Sequence, residues 1–161
     1  DRVEGRKLII LHPGSRGSAR EWGLMRFAEL IWMLREERYD VFLTGTEEEG
    51  LGFRDMLVKP YPHVTDVSGM MDLPMLMAFI ASADALVAAS TGPLHLAAAL
   101  GIKAIGIYPP IRPMHPGRWA PLGADAHALV LDKTCNSCRR RGPCRCMEDI
   151  DPASVKQLLD A

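Results

Sequence analysis

Residues 85–107 read Ala85-Leu-Val-Ala-Ala89, Ser90-Thr91-Gly92-Pro93, Leu94-His95-Leu96-Ala97-Ala98-Ala99-Leu100-Gly101, and then Lys103-Ala-Ile-Gly-Ile107. The first five residues predict a strand, and Pro93 suits the first position of a helix running to Leu100. Gly101 stands where a helix C-terminus is capped, and Lys103–Ile107 predicts a second strand. Toward the N-terminus, Lys7-Leu-Ile-Ile-Leu11 is a buried-strand pattern stopped by His12-Pro13-Gly14. From Trp22 a helical stripe follows, with Phe27, Leu30, Ile31 and Leu34 on one face. Asp40–Leu43 predicts a strand ended by Thr44-Gly45, and Glu47-Glu48-Glu49 opens a helix where negative charge suits the dipole. Val64–Val67 is a weak strand, and Asp72-Leu73-Pro74 starts a helix whose expected apolar face is Leu73, Leu76, Met77 and Ile80. Ala128–Leu131 predicts the last strand, and a helix from Asp151-Pro152 turns Val155, Leu158 and Leu159 inward. Strand and helix alternate throughout. The fold class is α/β: a Rossmann-like three-layer α/β/α domain with a parallel sheet, occupying 1–161 as one unit.

Composition agrees. The chain has 161 residues, 48% hydrophobic and 24% charged, which suits one soluble globular domain and excludes disorder, collagen and coiled coil. Lys plus Arg is 19 against 20 for Asp plus Glu, so a whole-surface basic field for nucleic acid is excluded. No apolar run approaches the ~20 residues that span a bilayer, and no secretory signal opens the chain. A cytoplasmic location is the expectation.

In open parallel sheets, ligands bind beyond the carboxyl ends of the strands. Four unusual segments fall there: His12–Arg20, Thr44–Glu49, Ser90–His95 and Tyr108–Arg118. In the first, small residues around Ser15 admit a ligand to the backbone, and Arg16 and Arg20 bring charge suited to a diphosphate. A solvated turn with ordinary surface arginines is the alternative. Neither Gly-x-Gly-x-x-Gly nor Gly-x-x-x-x-Gly-Lys-Ser/Thr occurs, so nicotinamide and ATP-hydrolysis fingerprints are missing. In Ser90-Thr91-Gly92-Pro93-Leu94-His95, Thr91 or Gly92 caps a helix whose start favours phosphate. The alternative is a capped buried helix with a satisfied core histidine. Glu49, just past a strand end, has the position of a ribose-binding carboxylate or of a plain solvated helix start. The segment Tyr108–Pro121 is too long and too rich in Pro and Gly for a simple connection.

Taken in order, these pieces resemble glycosyltransferase family 9, the ADP-heptose lipopolysaccharide heptosyltransferases, and more narrowly their C-terminal half. The resemblance rests on Leu11-His12-Pro13-Gly14-Ser15 with Arg20-Glu21-Trp22, Leu43-Thr44-Gly45 with Glu49, and Gly69-Met70-Met71-Asp72-Leu73. It continues through Ser90-Thr91-Gly92-Pro93-Leu94-His95-Leu96-Ala97-Ala98-Ala99 and ends with Cys146-Met147 leading to Ile150-Asp151-Pro152. It implies a GT-B enzyme that transfers heptose with inversion from ADP-heptose to the lipopolysaccharide inner core, with no obligatory metal. Acceptor site and catalytic base belong to an N-terminal domain missing from this stretch, so no catalytic residue is expected here and the piece alone is expected to bind nucleotide without transferring sugar. Work would take place at the cytoplasmic face of a Gram-negative inner membrane, with a possible peripheral membrane contact and no nucleic acid partner.

Carried over by position, Ser15 and Arg20 match residues that hold the donor diphosphate, Glu49 the ribose carboxylate and Met71 the residue at the adenine. Thr91, Gly92 and His95 match the surroundings of the phosphates and donor sugar. Most relatives carry Asp immediately before Thr-Gly, at a position that helps place donor sugar or acceptor; Ser90 stands there in this chain. A different nucleotide sugar, such as a UDP-linked hexose, is therefore the alternative enzyme, and a degenerate nucleotide- or sugar-binding module the alternative outside catalysis. The four cysteines, Cys135, Cys138, Cys144 and Cys146, interleave with Arg139, Arg140, Arg141 and Arg145. A structural or partly disulfide-bonded loop is the first reading, a metal knuckle the second and a redox switch the third, since Cys-x-Cys is a poor half of a tetrahedral site. A zinc-dependent nucleic-acid binder would rest on that loop alone, against the balanced net charge.

Overall fold

Strand register organises the molecule. The computed structural model describes residues 4–133, 135 and 144–161. Its strands are β1 (Lys7–His12), β2 (Tyr39–Leu43), β3 (Val64–Asp66), β4 (Ala85–Ala89), β5 (Lys103–Ile107) and β6 (Ala126–Leu129). They form one sheet in the order β3-β2-β1-β4-β5-β6, with every pair parallel. Helices α1 (Leu24–Met33), α2 (Glu47–Leu57), α3 (Leu73–Ser82) and α4 (Gly92–Ala99) provide the crossovers, followed by α5 (Pro116–Trp119), α6 (Arg145–Glu148) and α7 (Pro152–Asp160).

Period-two alternation along the strands divides the core between the faces. Ile9, Leu11, Val41, Val87 and Ile105 join Phe27, Leu30, Phe53, Val155 and Leu159 from α1, α2 and α7. Ile10, Leu86, Ala88 and Ala104 point the other way, onto Ile80 of α3 and Leu94 and Ala97 of α4. The expected α/β class and the expected parallel sheet are both present.

Local chemistry fixes the flanks. Gly23 has φ 101°, so the chain turns sharply there, α1 starts at Leu24, and Trp22 stays in the preceding loop. Trp22 is fully buried, stands edge-on to Phe27 at 5.0 Å and donates its indole N–H to the Ile150 carbonyl at 3.0 Å. The ammonium groups of Lys7 and Lys103 donate to the last carbonyls of α7, those of Leu159 and Leu158, at 2.7 and 2.8 Å. Cations at a helix C-terminus also suit its dipole. Burial, reinforced by Asp160, pushes the Tyr39 phenol up to about 12, and its O–H donates to that carboxylate, tying β2 to α7.

Two expectations are corrected. The last strand is residues 126–129, not 128–131, because β5 pairs Ala104 with Ala126 and Ile107 with Leu129. A half-exposed edge strand carries a weak apolar signal, so its register is set by the neighbour. Leu73 is 60% exposed and lies off the buried face of α3, which instead presents Leu76, Phe79 and Ile80 to the sheet. Phe79 meets Phe42 edge-on at 5.2 Å.

Gly106 in β5 leaves room for the Tyr108 ring: a Cβ there would lie 2.5 Å from that ring and 2.7 Å from Leu94 Cδ2. Gly106→Ala is therefore expected to lower stability by roughly 1–3 kcal/mol through overpacking, measured by urea denaturation. An unchanged midpoint would show that the ring yields freely. His12, the last residue of β1, gives a second prediction. Burial holds its pKa below the ordinary 6.5, against an upward pull from Glu49. The unfolded chain thus takes up this proton first, so stability is whole above about pH 6.5 and falls as pH drops toward the lower folded value. Between about pH 7 and about pH 5 the thermal midpoint is expected to decline less steeply in His12→Gln than in the wild type, and equal slopes would contradict this.

Candidate functional site

The strand order reverses direction at β1, which pairs with β2 on one side and β4 on the other. The crossovers that leave the neighbouring strands β1 and β4 pack on opposite faces, α1 on one and α4 on the other, and a crevice opens at the carboxyl edge. The start of α4 lies at its centre. Thr91 is the N-cap residue, yet its side chain makes no capping bond; its hydroxyl donates back to the Ala89 carbonyl at 3.3 Å. Pro93 has no N–H to satisfy, so the remaining first-turn amides of α4 have no side-chain acceptor and suit an anion.

On one side of the α4 start is a cleft of about 470 Å³, whose lining includes His12, Ser15, Glu49, Met71, Thr91 and Gly92. Glu49 completes a capping box: its carboxylate accepts from Thr46 N at 2.8 Å while its own N–H donates to Thr46 Oγ1 at 3.2 Å. The same carboxylate fills the space beside two glycines. A Cβ on Gly14 would stand 2.2 Å from Glu49 Oε1, and one on Gly45 3.0 Å from Oε2. Loops leaving β1 and β2 thereby close around one negative charge. The His12 ring, held neutral by burial, places Nδ1 3.0 Å from Thr44 Oγ1 on the same wall.

Across Thr91 and Gly92 is a second cleft of about 330 Å³, lined by Ser18, Arg20, Ser90, His95, Met114 and Trp119 among others. The eight sequence-predicted residues therefore gather at one edge but divide between the clefts. Ser15, Glu49 and Met71 face the first, Arg20, Ser90 and His95 the second, and Thr91 and Gly92 both. Ser15 is buried, and its hydroxyl is occupied within its own loop by the Ala19 carbonyl, the Glu21 carboxylate and Gly17 N. Its geometry supports loop shape. Thr91 takes the N-cap position, one of the two expected, but its side chain makes no capping bond.

Sequence reading did not single out Met114, Trp119 or Thr46. The unusual length of 108–121 was their only signal, apart from the Thr46-x-x-Glu49 spacing of a capping box.

Among the described cysteines, Cys144 and Cys146 are buried free thiols, and Cys135 is partly exposed. Burial pushes the Cys146 thiol up, and the adjacent Cys135 adds to this, so Cys146 lacks the depressed pKa of a reactive thiol. Cys138 and Arg139–Arg141 lie outside the described residues, and no group of three potential metal ligands is found among the described ones. No described helix is long and apolar enough to cross a membrane.

The geometry now meets what is known of other proteins. The family model for glycosyltransferase family 9 (heptosyltransferase) matches residues 1–146. A Haemophilus influenzae protein provisionally named as a glycosyltransferase is 36% identical over 128 residues, covering 76% of this chain and 36% of that protein. Lipooligosaccharide heptosyltransferase 2 of Campylobacter jejuni is 26% identical over 161 residues, covering 94% of this chain and 49% of its own length. The structure of E. coli ADP-heptose LPS heptosyltransferase II superposes with a TM-score of 0.79 at 26% identity, over 98% of this chain and 46% of that one. The chain thus spans half or less of the length of these relatives. With a family model covering most of its residues and a sheet that superposes on a solved member, the chain belongs to glycosyltransferase family 9, the heptosyltransferases.

Proposed function

We propose that residues 1–161 form the donor-binding half of a heptosyltransferase that takes heptose from ADP-heptose and delivers it to a lipopolysaccharide core acceptor. The observation that carries this reading is the uncapped start of α4 standing between two clefts at the strand switch. A nucleoside diphosphate sugar has the same layout: an anionic centre with a nucleoside on one side and a sugar on the other. The nucleoside occupies the cleft of Glu49 and Met71, with the Glu49 carboxylate accepting from ribose hydroxyls. The diphosphate lies at Thr91–Gly92, and the sugar faces Arg20, Ser90 and His95. The structure of the E. coli relative carries ADP-heptose in its name, which supports adenine and heptose for this chain.

Chemically, this half stabilises the departing diphosphate. Charge grows on the leaving oxygen as the glycosidic bond breaks, and the α4 amides with the Arg20 guanidinium are preorganised to meet it. Their worth is greatest where water is excluded. Inversion in a single displacement requires a base on the far side of the anomeric carbon, which this reading places on the N-terminal half of the enzyme. Without that half the chain binds donor and transfers nothing. The same reading puts the enzyme at the cytoplasmic face of the inner membrane, where its lipid-linked acceptor is built. Ser90 favours a second reading, a donor other than ADP-heptose, because a hydroxyl stands where the family resemblance implies a carboxylate.

Titration calorimetry of this chain with ADP, UDP and GDP tests the assignment. Selective ADP binding is expected; a preference for UDP would move the chain to the second reading, and no binding would remove the donor site. Glu49→Gln keeps the capping acceptor but not the charge, so thermal stability is expected to hold while ADP affinity falls by about three- to tenfold. Arg20→Ala is expected to weaken ADP binding by a similar factor with no loss of fold. Unchanged affinity in both variants would refute the site.

A further inference from the structure

The second cleft has a wall that the nucleotide does not need. Tyr108, fully buried beyond the end of β5, donates its hydroxyl proton to the Trp119 carbonyl at 2.5 Å, at the end of α5. The Tyr108 proton is therefore committed to the Trp119 carbonyl, which fixes the end of α5 against the end of β5. Gly106 keeps the Tyr108 ring in place, since any side chain there would strike it. The indole of Trp119 is 47% exposed and lines the cleft, while Arg118, which does not line it, lies over the ring at 5.1 Å.

Among the described residues no carboxylate lines this cleft. Hydroxyl recognition by Asp or Glu, a common device for sugars, is therefore unavailable among its described walls, and an aromatic ring takes the place beside Ser90. We propose that Trp119 is the specificity-determining platform for the transferred sugar, packing against the apolar C–H face of a pyranose, and that Tyr108 is the positioning residue that holds it there. This rests on the donor-binding reading and deepens it. The ligand class is a nucleoside diphosphate pyranose bound through stacking and neutral hydroxyl contacts.

The test compares ADP with ADP-heptose and ADP-glucose by calorimetry on this chain and on Trp119→Ala, Trp119→Phe and Tyr108→Phe. The wild type is expected to bind at least one ADP-sugar more tightly than ADP. Trp119→Ala and Tyr108→Phe should each reduce that gain by about five- to tenfold, with ADP affinity held within about twofold. Trp119→Phe should recover most of it. The proposal is overturned if the gain survives in Trp119→Ala and Tyr108→Phe, if ADP and ADP-sugar weaken together in both, or if the wild type shows no gain with either sugar. Failure of the wild type to bind ADP at all overturns the donor-binding reading, and this inference with it.

Discussion

Everything at the candidate site depends on β1 lying between β2 and β4 in a sheet whose strands all run the same way. A parallel sheet must return each strand through a crossover, so all strand exits collect at one edge. At β1 the crossovers part, one toward α1 and the other from β4 toward α4. Loops from β1, β2, β3 and β4 then converge, the longest of them being residues 13–23 after β1. The two core clusters keep this geometry rigid, because neither face of the sheet is left to water.

The edge so formed contains an electrostatic contrast. Glu49 is pressed against backbone of the β1 and β2 loops, with Gly14 and Gly45 yielding the space. A few residues away in the same cleft, α4 presents amides that no side chain caps. The carboxylate caps α2 and also lines the cleft that the start of α4 borders. In a donor site the first suits hydroxyl groups and the second suits phosphate, and the His12 ring between β1 and β2 stays neutral enough to disturb neither.

Most of this was legible in the residues. The uninterrupted apolar strands, Pro93 at a helix start and Gly101 at φ 82° all carry local signals strong enough to place the elements. The gathering of Ser15, Arg20, Glu49, Met71, Ser90, Thr91, Gly92 and His95 at one edge followed from strand order. What escaped was anything set by tertiary contact. The register of β6 comes from its neighbour, Leu73 is apolar yet points to solvent, and the Ser15 hydroxyl is spent inside its loop. The second cleft was also beyond reach, since Pro109, Met114 and Trp119 of its wall come from a segment without periodicity.

The wall between those clefts has an evolutionary meaning. Among the described residues only Ser18, Thr91 and Gly92 border both. In the donor-binding reading proposed above, the residues set around the nucleoside and those set around the sugar are therefore almost disjoint sets, separated by a short turn. Under that reading Met114 or Trp119 can change to admit new cargo while the nucleoside cleft stays constant, and an engineer building a library would randomise one wall without touching the other.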